Sequence, residues 1–242
     1  MARKVNLNPI TLAGDTIAVW QIRFWRIILL SGIVAVPASL LGPLQIDSTT
    51  NLGFVITIAG IYLCVALSWS FLFEKDLMKL NLGKLYLKSS GRVLPYLATL
   101  IIFLLVALPV LLSLVVITLG IALEQLSILV FFGLAVSAGS LYFMLRFSLA
   151  TVLVVQKNIT SLQALKLSWQ LTRGNIVLLF VAWLAVILTV VVVSSTALWL
   201  VGLIEFVRNS DYALALISGL LMTFLLPFFI GYSVQITRRL EK

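Results

Sequence analysis

Histidine is missing from the chain altogether, and there is one cysteine in 242 residues. Without histidine the commonest general base is gone, together with the usual transition-metal ligand and the usual haem ligand. Cys64 alone can form no intrachain disulfide, so cysteine usage indicates no redox compartment. Charge is scarce as well. Asp, Glu, Lys and Arg make up 10% of the residues, where a soluble domain carries about 25%. A chain this poor in charge cannot cover a water-facing surface. Its 62% hydrophobic content and mean hydropathy of +1.19 instead suit lipid as the solvent for most of it. The length fits one compact membrane domain over residues 1–242.

Six stretches satisfy the requirement of about 20 predominantly apolar residues for a membrane span. They are residues 27–44, 52–73, 93–123, 126–155, 176–204 and 212–236. The third, fourth and fifth exceed the bilayer thickness and must tilt, kink or extend into the interface. Pro109 and Pro227 are the expected kink sites. A signal peptide would put its apolar core much nearer the start, so the first run is expected to be an uncleaved span.

The formal charge of +9 would suggest nucleic acid in a soluble protein. Here the basic residues fall in the polar gaps between apolar runs, where the positive-inside rule places them. Fifteen lie on one side: Arg3, Lys4, Arg23 and Arg26; Lys75, Lys79, Lys84, Lys88 and Arg92; Lys157, Lys166 and Arg173; Arg238, Arg239 and Lys242. The opposite loops, around Asp47, Glu124 and residues 205–211, hold only Arg208. Both termini are therefore expected in the cytoplasm. The membrane is expected to be a bacterial-type inner membrane or an equivalent internal one.

The outer turns are short, so the spans pair into three hairpins. Each follows a cytoplasmic segment expected to form an amphipathic interfacial helix. In the last segment, Gln163, Lys166, Gln170 and Arg173 recur on one helical stripe, with Leu162, Leu165 and Trp169 on the opposing one. Thr160 followed by Gln163 has capping-box spacing, and Trp169 suits a headgroup anchor. Residues 20–30 align without gaps to residues 169–179, and Tyr86 and Arg92 fall where Trp20 and Arg26 fall. Three tandem units follow, residues 8–73, 74–155 and 156–236. The competing reading is that any basic, aromatic approach to a span looks alike.

Chemistry is sparse. The eight carboxylates all sit at or beyond the expected span ends, and only Glu74 and Asp76 form a close pair, read as a solvated loop mouth rather than a metal site. Ser194 and Ser195 have no basic neighbour in sequence and read as packing residues. Gly133 and Ser137 form a small-xxx-small pair that permits close helix contact. Arg146 is the exception. It lies ten residues before Gln156, about 15 Å along a helix, in an otherwise apolar span. Either it snorkels to the interface, or it points into the bundle to hold a lipid phosphate or a helix C-terminus.

Within residues 146–175, Arg146 near a span end, an apolar run, and a helix carrying Ala164, Leu165, Ser168, Trp169, Leu171, Thr172 and Gly174 resemble a bacterial group. That group is the membrane domain attached to some glycerophosphoryl diester phosphodiesterases, with its stand-alone six-span relatives. Gln156 stands where the family often has a glutamate. The resemblance implies an architecture; the family's catalytic barrel is a separate soluble domain, and this chain has no counterpart of it.

Taken together, the sequence leads to a non-catalytic integral membrane protein without cofactor or metal. It would act as a lipid-contacting scaffold or as an accessory subunit of a membrane complex. Its partners would be anionic headgroups and other membrane proteins, with no nucleic acid. Arg146, Lys166, Trp169, Arg173, Arg23, Arg26, Lys84, Lys88 and Arg92 are the expected headgroup contacts. The alternative is a permease for a hydrophobic or lipid-like solute, its hairpins serving as transport repeats.

Overall fold

A computed structural model describes residues 7–22, 24–40, 51–72, 82–122, 126–202, 204 and 210–241, with most of their side chains. Among these residues the chain is helical throughout, with no strand: α1 (Pro9–Ile22), α2 (Phe24–Ser39), α3 (Asn51–Leu72), α4 (Leu82–Ala122), α5 (Leu126–Phe147), α6 (Ala150–Lys157), α7 (Ser161–Leu171), α8 (Ile176–Gly202) and α9 (Asp211–Glu241). Helix is the physical answer to this composition. In hydrocarbon no water can satisfy backbone N–H and C=O groups, and a helix pairs them within its own segment.

Four helices are long and apolar enough to cross a membrane: Ser90–Thr118, Val130–Lys157, Ile176–Leu200 and Asp211–Glu241. Pro9–Ile22 and Ile27–Ser39, whose axes lie 91° apart, would make a fifth if counted as one broken span. These four coincide with the third to sixth expected runs. The first run is described as far as Leu40, and the loops at Asp47, Glu74–Asp76, Glu124 and Arg208 lie outside the described residues. The exposed residues are those that suit lipid. On α4, Leu104, Leu105, Leu108, Leu111, Leu112 and Val115 all point away from the protein. A helix apolar on every side is either buried in a core or set in a membrane.

Both expected kink prolines sit inside uninterrupted helices, Pro109 in α4 and Pro227 in α9. The fourth run differs from expectation in detail. Its helix breaks at Ser148–Leu149, between α5 and α6, and only then reaches the turn at Asn158.

The contacts divide into two compact units, one within Leu94–Leu179 and one within Val5–Val93 with Phe180–Lys242. In the second, α2 and α9 make the most extensive helix contact, and α3 packs on both. Small residues allow it. Ser31 Oγ donates to the Thr223 carbonyl at 2.8 Å, and Gly32 faces the Thr223 side chain. A Cβ on Gly219 would fall on the Ser39 side chain and within 3.1 Å of Val36 Cα. At the other end of α9, α1 lies alongside, fastened where Arg239 donates to Asp15 at 2.6 Å and to Thr11 at 2.8 Å. Helix α8 meets α9 through Trp183 against Phe229, and through the Tyr232 hydroxyl on the Ala182 carbonyl at 3.1 Å.

In the first unit, α5 approaches α4 at Gly133. A Cβ there would come within 2.7 Å of Ile117 and 3.1 Å of the Ser113 carbonyl. One turn on, the hydroxyls of Ser137 and Ser113 share a hydrogen bond. The Gly133–Ser137 pair thus forms the close contact its spacing suggested. Helix α7 packs on α5 and α6 and is tied to α4 where Ser161 Oγ donates to the Pro95 carbonyl at 2.8 Å.

Candidate functional site

The end of α5 and the last turn of α7 meet around Arg146. Local sequence sets the stage. Asn158 takes a left-handed conformation (φ 52°) that closes α6 and turns the chain back, a geometry asparagine tolerates better than most residues. Helix α7 then starts where expected: the Thr160 amide donates to Gln163 Oε1 at 3.2 Å, the reciprocal contact of a capping box. It ends at Thr172, followed by Gly174 at φ 87°, where a side chain would be strained.

These turns bring Arg146, Ser168, Trp169 and Thr172 together. Arg146 is 8% exposed, which decides between the two readings left open by the sequence: the side chain is inside the unit. Its Nε and Nη2 both donate to the Tyr142 hydroxyl, at 3.1 and 2.8 Å. Its Nη1 lies 3.4 Å from the Trp169 carbonyl and from Thr172 Oγ1. In return, Ser168 Oγ donates to the Arg146 carbonyl at 2.6 Å.

The guanidinium carbon also sits 4.8 Å from the Trp169 ring and 5.1 Å from that of Tyr142. Ring quadrupoles attract a desolvated cation by about 2 kcal/mol. Phe143 and Phe147 close on Trp169 from the α5 side, each with ring centroids 5.9 Å away. The charge rests where the carbonyl ends of α7 gather, the end of a helix that favours a cation. Among the described residues no carboxylate pairs with Arg146. Dipoles and ring faces hold it instead.

The outer face of α7 is of a different kind. Gln163, Lys166, Gln170 and Arg173 are all exposed, on the stripe their spacing indicated. Ala164, Leu165, Ser168 and Thr172 form the inner face. The expected apolar stripe is divided: Leu165 is buried and Trp169 half-buried, while Leu162 is 73% exposed.

The structure therefore brings Arg146 and Trp169 together and leaves Lys166 and Arg173 on the open side of the same helix. Arg92 is half-buried in α4. Arg23 and the side chains of Arg26, Lys84 and Lys88 lie outside the described residues. Sequence reasoning missed Tyr142, Phe143 and Phe147 as partners. The available signal was spacing, since Tyr142 and Arg146, like Phe143 and Phe147, are four apart and stack on one helix face.

Chemically the corner is a brace. It holds hydrogen-bond donors, acceptors and rings, with no nucleophile set beside a base. Among the described residues no three His, Cys, Asp or Glu side chains stand close enough to share a metal ion. Comparison with protein families, curated proteins and solved structures finds no match for this chain.

Proposed function

We propose that the protein is a non-catalytic, multi-pass scaffold or accessory subunit that grips anionic lipid headgroups with the outer face of α7. The chain crosses the membrane six times, with both termini cytoplasmic. The observation that carries this reading is the braced helix itself. A short helix is locked by a buried arginine at its C-terminus and by Ser161 at its start. Its free face carries Lys166 and Arg173, alternating with Gln163 and Gln170. Rigid presentation of cations beside a span end suits a phosphate layer.

Two further features support the layout. The 91° angle between Pro9–Ile22 and Ile27–Ser39 marks a sharp break ahead of the proposed first span. The fifteen-to-one division of basic residues supports the orientation. The resemblance of residues 146–175 to the phosphodiesterase-linked membrane domain fits the same architecture, with α7 as the shared element.

Reporter fusions test the topology: residues near Asp47, Glu124 and Arg208 should report outside and both termini inside, and an external C-terminus refutes six spans. Native mass spectrometry of the full chain tests the grip. Lys166→Gln with Arg173→Gln should weaken retention of anionic lipid by about 1 kcal/mol per residue at low salt, and high salt should imitate the loss. Unchanged retention at low salt would leave α7 as a structural brace only. A continuous water-lined path at mid-membrane would favour the permease.

A further inference from the structure

A groove of about 200 Å³ opens between α1, α8 and α9. Its walls are Pro9, Ile10 and Ala13 from α1, Ala185 and Val186 from α8, and Phe228 from α9. Two hydroxyls complete the lining, and both protons are already engaged. Thr189 Oγ1 donates to the Ala185 carbonyl at 2.8 Å, and the Tyr232 hydroxyl to the Ala182 carbonyl at 3.1 Å. No donor in the lining is left for a polar guest. Beside the groove, Leu184, Ile187 and Leu188 of α8 and Phe229 of α9 are exposed, and Ile10 on the rim is 80% exposed. Both α8 and α9 are long and apolar enough to cross the membrane, and the groove residues lie within the apolar stretch of each.

We propose that this groove seats one acyl chain of a membrane phospholipid, making the lipid a structural component of the α1–α8–α9 corner. A groove with so few free polar partners is a poor seat for water. An unfilled one would also forfeit the dispersion contacts of its walls. Burial from water is not the drive, because bulk lipid is as apolar as the groove; shape and packing are. The chain completes the seat of α1, which Arg239 also fastens through Asp15 and Thr11. This inference is independent of the α7 headgroup contact and stands or falls separately from it.

The test uses the full chain in vesicles containing a phosphatidylcholine with a photoreactive group midway along one acyl chain, with labelled peptides mapped after irradiation. Residues 9–13 and 185–189 should be labelled together. Ala185→Phe, which fills the groove, should lower that labelling about tenfold, an exclusion of about 1.4 kcal/mol. Labelling on the exposed α4 leucines should persist and report that the variant has inserted. Val192→Phe, placed on an exposed position of α8 outside the groove, should change nothing. Equal labelling in wild type and Ala185→Phe, or none at residues 9–13, overturns the proposal. A second measurement needs no bulky residue: in a Cys64→Ser background, Thr189→Cys should resist a water-soluble maleimide while the lipid is present. Rapid reaction would mean an aqueous groove and would equally overturn it.

Discussion

The α5–α7 corner and the α2–α9 contact solve one problem in opposite ways. Lipid tails are as apolar as leucine, so no hydrophobic drive brings helices together in a bilayer, and packing or polar contacts must do so. At α5–α7 the means are additions: a guanidinium, four rings and three side-chain hydroxyls, each reaching across a gap. At α2–α9 the means are omissions: Gly32, Gly219, Ser31 and Ser39 leave room for two backbones to approach until Ser31 reaches the Thr223 carbonyl. The first should fail when atoms are removed, and the second when atoms are added.

Trp169→Ala should give the largest effect. It deletes a half-buried indole contacting Tyr142, Phe143 and Phe147, and exposes one face of the Arg146 cation. Such deletions cost about 3 kcal/mol. Arg146→Lys should follow at about 1–2 kcal/mol, because an ammonium cannot span the Tyr142 hydroxyl and the Trp169 carbonyl together. Unfolding by SDS titration, followed by far-UV circular dichroism, reads both. If Arg146→Lys were neutral, the brace would be apolar packing and the charge incidental.

The reverse test is on glycine. Gly219→Leu should cost about 2 kcal/mol, since the new side chain meets Ser39 and the Val36 backbone. Gly139→Leu, where nothing lies within 4 Å of the site, should stay within about 0.5 kcal/mol. Equal losses at the two glycines would mean that close approach at Gly219 does not control the response, since helix propensity alone favours leucine at both.

What the sequence made legible follows the same division between local and distant. The Thr160–Gln163 cap, the turn near Asn158, the outward Lys166–Arg173 stripe and the Gly133–Ser137 contact all depend on short spacings, and each is found. The apolar runs found helices α4, α5, α8 and α9, because length and hydropathy suffice for a span. Hydropathy does not say which face of one such helix meets which face of another. Ser31 on Thr223, Ser39 on Gly219 and Arg239 on Asp15 join the ends of the chain, and nothing local marks them. Arg146 was ambiguous for a related reason. Its side chain is long enough to snorkel or to turn inward, and only the position of α7 decides.

Within the first unit the comparison can be sharpened at the start of α7. Gln163→Ala removes the acceptor of the Thr160 amide, an exposed bond worth about 0.5–1 kcal/mol. The loss should appear as faster amide exchange over the first turn of α7, with the Arg146 end unchanged. Exchange rising equally at both ends would show that α7 opens as one piece and that the brace does not hold it independently.

The smallest effect is expected where both strategies coincide. At Ser113 and Ser137 a hydroxyl pair lies one turn from the Gly133 approach, so added polarity and omitted bulk act on the same pair of helices. Buried hydrogen bonds between membrane helices average about 0.6 kcal/mol, because the separated helices find other partners. Here that substitute is already visible: Ser113 Oγ also donates to the Val110 carbonyl at 2.7 Å. Ser113→Ala and Ser137→Ala should each cost little, and a double-mutant cycle should return a coupling of about 0.5 kcal/mol. Gly133→Ala should exceed either, since its methyl would press on Ile117 and the Ser113 carbonyl whatever the hydroxyls do. A coupling well above 1 kcal/mol, with Gly133→Ala neutral, would reverse the order and make α4–α5 a polar contact like the Arg146 corner. The expected result, a weak hydroxyl pair beside a costly methyl, would place it with α2 and α9, among the contacts that exist because something is left out.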